Sequence, residues 1–286
     1  SDVYKRQAMR LGRIAHPEGI CFAIIDGPKD APMEELVAKE IAGTPFTPPE
    51  PTGREWKLNE VRLLAPTLPT KVVALGRNYA DHVAEVFKKS ADSLPPTIFI
   101  KPSTAVIGPD AAIKIPDYAT NVEFEGELAV VISKPSKNIK AENWKDHVLG
   151  YTICNDVSSR DLQFKDGQWA RAKGIDTFCP LGPWIETDLD SLNLDDQKIN
   201  AYLTHEGSRE QKQDSNTDQM IVKMGGILEE ISAAYTLLPG DVITTGSPAG
   251  TAPMVPGDTI EIEIPGLGTL RNSFLRAYPK PLGAPR

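Results

Sequence analysis

The stretch Asn121-Val-Glu-Phe-Glu-Gly-Glu-Leu-Ala-Val-Val-Ile132 constrains the chain more than any other, because it joins an alternating acidic pattern to an unbroken apolar run. Leu128 to Ile132 has no polar alternation, which suits a strand buried on both faces. Extending the two-residue strand period backwards places Glu123, Glu125 and Glu127 on one side. On an open strand they would form a solvated acidic face. Beside a buried run they crowd like charge, and each carboxylate raises the pKa of its neighbours unless a cation sits among them. A hard divalent metal resolves that repulsion, and all-oxygen ligation selects magnesium, manganese or calcium over zinc.

Several functions are excluded by composition. At 286 residues, 40% hydrophobic and 24% charged, the chain can bury a large core and resembles neither a disordered nor a membrane protein. No apolar run approaches the ~20 residues that span a bilayer, and no leader with a small-residue cleavage site is visible, so a cytoplasmic location without membrane partners is expected. A formal charge of −8 without a dense Lys/Arg stripe argues against nucleic acid as a partner. Cys21, Cys154 and Cys179 are odd in number and match no zinc spacing, so they read as free or buried thiols.

Residues 1–8 lack periodicity and precede Met9; they are read as a possible leader. Met9–Ile14 and Ile20–Ile25, split by His16-Pro17-Glu18-Gly19, predict a hairpin. Met33–Ile41 has helical spacing, and the proline-rich 44–53 segment then reads as a linker. These define a small N-terminal α+β domain over 9–62. A larger domain, 63–286, opens with the strand Lys71–Gly76 and a helix from about Asp81. Further strands are expected at 97–101, 149–156, 183–186, 199–205, 242–245 and 259–264, with short helical segments at 142–148 and 158–165 and one long helix over 220–234. Strands dominate and no βαβ alternation repeats, which points to an α+β, mainly β fold.

Two glutamates on one strand need a further oxygen donor to hold a metal, and Asp156 closes the strand-like run Tyr151-Thr-Ile-Cys-Asn-Asp156. The same position would serve as a helix N-cap before Val157. His82 and Glu85, three apart, share a helix face; such pairs are commonly solvated, but Glu85 could also fix the imidazole tautomer and let His82 activate water. Lys173 lies in a segment with little amphipathicity, where a solvated lysine is the default. Thr244-Thr-Gly-Ser-Pro248 is a strand followed by a tight turn whose donors could bind a carboxylate.

Six ordered motifs now resemble the fumarylacetoacetate hydrolase family: Gly76-Arg-Asn-Tyr-Ala-Asp-His82-x-x-Glu85, Phe99-Ile-Lys-Pro-Ser103, Glu123-Phe-Glu-Gly-Glu-Leu, Asn155-Asp-Val-Ser-Ser-Arg-Asp-Leu-Gln163, Ala172-Lys-Gly and Thr245-Gly-Ser-Pro. The resemblance implies a mixed β-roll of that family's C-terminal type, usually dimeric, with Mg²⁺ or Mn²⁺ held by Glu125, Glu127 and Asp156. Glu123 falls outside that trio. It also implies His82, Glu85 and Lys173 as catalytic residues, with the dyad on a lid segment. Arg77, Tyr79, Arg160, Gln163 and Ser247 become the expected substrate-binding set. Ser247 stands where many members have threonine, which keeps the hydroxyl. The N-terminal part is similar to that of bacterial members among oxaloacetate decarboxylases, acylpyruvate hydrolases and hydroxymuconate-type isomerases.

The chemistry so implied is cleavage of a small anionic 2-oxo acid through a metal-stabilised pyruvate enolate, by oxaloacetate decarboxylation, acylpyruvate hydrolysis, or both. Isomerisation or keto–enol tautomerisation in the same site is the rival reading. A non-catalytic metabolite-binding protein is the alternative from another class, and the intact His82, Glu85 and Lys173 speak against it.

Overall fold

The computed structural model describes residues 8–277. Of the expected leader only Ala8 falls within that range, and residues 278–286 of the expected larger domain lie outside it. The N-terminal hairpin forms as expected, with β1 (Arg10–His16) antiparallel to β2 (Gly19–Asp26). The helix expected over 33–41 does not form. Met33–Glu35 is a single 3-10 turn, and Val37–Ala42 is strand β3, paired along its length to β2. Glu35, Lys39 and Glu40 favour helix weakly, by tenths of a kcal/mol each. Strand pairing that buries Ala38 and Ile41 outweighs this. The expected linker gives way at Glu50 to β4 (Glu50–Lys57), the outermost strand.

Next along the chain come β5 (Arg62–Leu64), β6 (Lys71–Gly76), helix α1 (Ala80–Phe87), β7 (Thr97–Pro102), and the short β8 (Val106–Ile107), β9 (Ile113–Ile115) and β10 (Val122–Glu123). The acidic stretch is thus not one strand: it breaks at Phe124-Glu125 and resumes as β11 (Gly126–Ile132). A 3-10 segment, Ala141–His147, stands where a short helix was expected. It leads into β12 (Val148–Asn155), β13 (Ser158–Ser159), helices α2 (Arg160–Asp166) and α3 (Ala170–Gly174), and β14 (Cys179–Glu186). The chain ends in β15 (Lys198–His205), β16 (Ser208–Asn216), helix α4 (Met224–Ala234), β17 (Val242–Thr244), β18 (Thr259–Ile264) and β19 (Gly268–Arg276).

The fold is α+β and mainly β. A twelve-stranded sheet runs β4-β3-β2-β1-β14-β12-β11-β17-β6-β7, with β5 added on β1 and β8 on β14. Because β1 pairs both β2 and β14, the N-terminal strands continue the sheet of the larger part. A second, five-stranded sheet has the order β16-β15-β18-β19-β9. Strand β11 lies between two apolar clusters. Leu128, Val130 and Ile132 pack with Ile260, Ile262 and Phe274 of the second sheet, and Ala129 and Val131 face Leu11, Val72 and Leu181 on the other side. That two-sided burial is why the run shows no alternation. No helix among the described residues is long and apolar enough to cross a membrane.

Candidate active site

Antiparallel pairing builds the carboxylate cluster. Gly126 lies opposite Asn155 in the β11/β12 ladder, and one residue further out the Asp156 N–H donates to the Glu125 carbonyl at 2.9 Å. Residues opposite one another share a sheet face, and Glu125 and Glu127 are two apart. All three carboxylates therefore converge, with one oxygen of each within 4.8 Å of the others, and all three residues are buried. Asn155 reinforces the corner, its Oδ1 accepting the Glu125 N–H at 2.9 Å.

Cations surround this cluster unevenly. Lys173 Nζ bridges Glu125 at 2.7 Å and Asp156 at 2.8 Å, Lys101 is ion-paired to the other Asp156 oxygen, and Arg160 lies 2.6 Å from Glu125. Burial alone would raise the Glu125 pKa, but Lys173 and Arg160 hold it well below the ordinary carboxylate range. Glu127 behaves oppositely. Burial, then Asp156 and Glu125, push it well above that range, and its Oε2 accepts the Gly246 N–H at 3.0 Å. Gly246 has φ +94, and a Cβ there would meet Asn78 Cβ at 2.8 Å, so the turn needs glycine at that point.

His82 and Glu85 lie on α1, and the structure brings them to the cluster. His82 is 5% exposed, with Nε2 3.7 Å from Glu125 and Nδ1 3.5 Å from Glu85. Burial lowers its pKa, but Glu125 and Glu85 outweigh burial and the net shift is upward. Both Glu85 oxygens also accept the Gly250 N–H at 3.1 Å, pinning the helix to the loop after β17.

The expected substrate-binding residues stand in three different settings. Tyr79 is fully buried, its hydroxyl without a hydrogen-bond partner among the described residues, and burial followed by the charge of Glu127 raises its pKa. Ser247 is buried, its Oγ accepting from Gln213 Nε2 at 3.0 Å. Arg160 and Gln163 are committed to one another and to the acidic residues: Arg160 donates to Glu123 at 2.8 Å and to Gln163 Oε1 at 2.9 Å. Arg77 sits at φ +63 with its guanidinium over the rings of Trp169 and Phe87, at 5.2 and 5.6 Å, and donates to Thr97. Glu123 belongs to β10 and also accepts the Thr251 hydroxyl at 3.0 Å, behind the trio.

Sequence reasoning missed Lys101. It is 0% exposed, and strand alternation carried the signal, since Phe99 and Lys101 share the inward face of β7. Cys154 and Cys179 are buried 3.8 Å apart, and Cys21 is half-buried; all three are free thiols.

The trio fits a hard divalent cation. Its donors are all carboxylate oxygens, and among the described residues Glu127, unlike Glu125 and Asp156, is in no ion pair. Residues 71–275 match the family model described as fumarylacetoacetate (FAA) hydrolase C-terminal. The chain belongs to the fumarylacetoacetate hydrolase family. Residues 9–66 match a second model, Rv2993c-like, N-terminal. Among solved structures of the family, Cg1458 with inhibitor is 68% identical, with a TM-score of 0.93 over 94% of this chain and 100% of that one. A relative from Xenopus laevis named oxaloacetate tautomerase fahd2, mitochondrial, is 40% identical over 75% of this chain and 68% of its own. The structure of maleylpyruvate hydrolase from Sphingobium sp. SYK-6, in complex with manganese(II) and pyruvate, is 26% identical, with a TM-score of 0.73 over 94% of this chain and 100% of that one.

Proposed function

We propose that the protein is a Mg²⁺- or Mn²⁺-dependent enzyme that cleaves a small 2-oxo acid to release pyruvate enolate, with oxaloacetate and acylpyruvates as its substrate class. The observation that carries this reading is the buried Glu125, Glu127 and Asp156 cluster faced by the His82/Glu85 pair. Glu125, Glu127 and Asp156 would hold the cation, which supplies a Lewis acid for the developing enolate charge. The manganese and pyruvate in the maleylpyruvate hydrolase structure support the same pairing of metal and product.

The chain's own residues then decide which bond breaks. Lys173 and the turn at Gly246-Ser247 offer donors to the substrate's carboxylate and carbonyl oxygens. Helix α1 closes the cluster against water. In decarboxylation the electrons of the scissile C–C bond move onto the 2-oxo group as CO₂ leaves, and no base is required. In hydrolysis His82, oriented by Glu85, takes a proton from water as the oxygen adds to the distal carbonyl; the adduct then collapses with cleavage of the C–C bond to the pyruvoyl part, its electrons moving onto the 2-oxo group, so that a carboxylic acid and pyruvate enolate are released and the enolate carbon takes up the proton. The name of the 40%-identical relative favours a second reading, keto–enol tautomerisation of oxaloacetate, in which a proton is only moved between carbon and oxygen.

A panel of oxaloacetate, acetylpyruvate and fumarylpyruvate with either metal separates these readings, since tautomerisation alone yields neither CO₂ nor pyruvate. Within the panel His82→Ala should reduce acylpyruvate hydrolysis by the ~10²–10⁴-fold typical of losing a general base, and oxaloacetate decarboxylation by much less. An equal fall in both, with metal affinity intact, means that His82 serves a shared step such as closure and is not the water-activating base.

A further inference from the structure

We propose that Gln213 is a positioning residue: it ties the backbone between the two glutamate ligands to the turn that holds Glu127 and presents Ser247, so both metal and substrate affinity depend on it. The inference rests on the assignment of Glu125, Glu127 and Asp156 as metal ligands.

Strand β16, Ser208–Asn216, is polar and mostly exposed, and Gln213 is its one buried side chain, at 0% exposure. A buried amide is costly unless its hydrogen bonds are made. This one makes three: Oε1 accepts the Gly126 N–H at 3.0 Å, and Nε2 donates to the Pro248 carbonyl at 2.8 Å and to Ser247 Oγ at 3.0 Å. A backbone N–H can only donate and a backbone carbonyl only accept, so these two partners fix the amide's orientation.

The place matters as much as the bonds. The β17–β11 pairing reaches Ala129 opposite Thr244, and Thr245 adds a last bond from its N–H to the Leu128 carbonyl at 3.2 Å before the chain turns through Gly246. Past that point the Gln213 side chain stands in for the missing strand, joining Gly126 on one side to Pro248 on the other. Gly126 lies between Glu125 and Glu127, and the neighbouring Gly246 N–H binds Glu127. A Cβ on Gly126 would meet Gln213 Oε1 at 2.8 Å, so the approach itself depends on glycine.

The test is Mn²⁺ affinity of the full chain, read as free Mn²⁺ by electron paramagnetic resonance, alongside KM for oxaloacetate. Gln213→Met fills the volume without either bond and should raise the Mn²⁺ Kd by about 10–100-fold, the range for residues that orient metal ligands, with KM rising as well. Gln213→Asn, too short to span both partners, is the second variant and should weaken binding in the same direction. Leu203→Ala, a core truncation on the neighbouring β15, should lower Tm without moving the Mn²⁺ Kd more than about threefold, which separates positioning from general loss of stability. Affinity within about threefold of the parent in Gln213→Met and Gln213→Asn overturns the proposal, as does an equal loss in Leu203→Ala. A parent chain that binds no Mn²⁺ overturns the ligand assignment and the inference together. If the affinity pattern appears but no 2-oxo acid turns over, the substrate reading fails and the inference stands.

Discussion

Asp156 carries two buried lysines at once, Lys101 on one oxygen and Lys173 on the other. Removing the carboxylate altogether would strand both ammonium groups, and breaking a buried pair in this way costs about 3–5 kcal/mol. Asp156→Asn keeps the shape and is the cleaner probe of ligation. Calorimetric titration of that variant with Mn²⁺ should show binding lost or weakened at least tenfold, of the order expected when a charged ligand becomes neutral. Unchanged affinity would remove Asp156 from the metal site. At this scale the sequence was legible where side-chain chemistry repeats at short range. Glu125 and Glu127 declare themselves by spacing, and the family motifs carry Asp156, His82 and Lys173. Which partner a distant strand supplies is not legible in this way: alternation turns Lys101 inward but does not say that it meets Asp156. Lys101 is 55 residues from Asp156, and Gln213 is 87 from Gly126.

Helix α1 illustrates what an element can do with few anchors. Only His82 and Val83 are buried on it, its C-cap Lys88 takes a left-handed conformation at φ 55, and the Ser90–Pro96 segment that follows is largely exposed. The helix is attached through His82, Glu85 and the Gly250 N–H, and through Phe87, whose ring lies 5.9 Å from that of Phe164 and 6.1 Å from that of Trp169. An element held by few, partly exposed contacts opens at low free energy. Hydrogen exchange over residues 80–95 should therefore slow when oxalate, standing in for pyruvate enolate, is added with Mg²⁺. Strong and equal protection with and without oxalate would exclude a lid. Strands with a clean two-residue period, such as β15 and β18, and the short apolar run of β6 were legible in sequence. Residues 33–41 were not, because pairing to β2 decided their conformation. The hairpin strand β16 was hidden by its polarity, since seven charged or amide residues in Ser208–Asn216 give no apolar alternation to read.

Where the large sheet passes from β17 to β6, Asp241 gathers the hydrogen bonds of both segments. Its carboxylate accepts from the Thr70 hydroxyl and N–H, the Lys71 N–H and the Leu238 N–H, and is ion-paired to the Lys71 ammonium, so it locks the parallel strands β6 and β17 together. Burial raises its pKa, but Lys71, Thr70 and the Leu238 N–H outweigh burial, and the net shift is below the ordinary 3.8. The carboxyl thus binds its proton more weakly folded than unfolded. Its contribution is complete above 3.8 and fades as the pH falls through the folded value. Asp241→Ala should cost about 3 kcal/mol near neutral pH by chemical denaturation, and the gap from the parent should narrow as the pH drops from about 5 towards 2. A gap that holds constant over that range would show that the ion pair contributes nothing to the loss.

The sheet begins at β4, whose outer side meets no other strand among the described residues. A ladder left open in this way invites a neighbouring molecule to add its own strand, and molecules so joined become fibres or precipitate. Pro51 has no N–H to offer such a visitor, Gly53 bends at φ +85, and Glu50, Arg54, Glu55 and Lys57 surround them with charge. The residues that read as a linker thus act as a barrier between molecules, at the cost of a strand hard to recognise. Replacing Pro51 and Gly53 together by valine should leave the soluble, folded fraction active while light scattering on warming sets in at lower temperature, because the doubled chain would supply the donor and the flatness that the natural edge withholds.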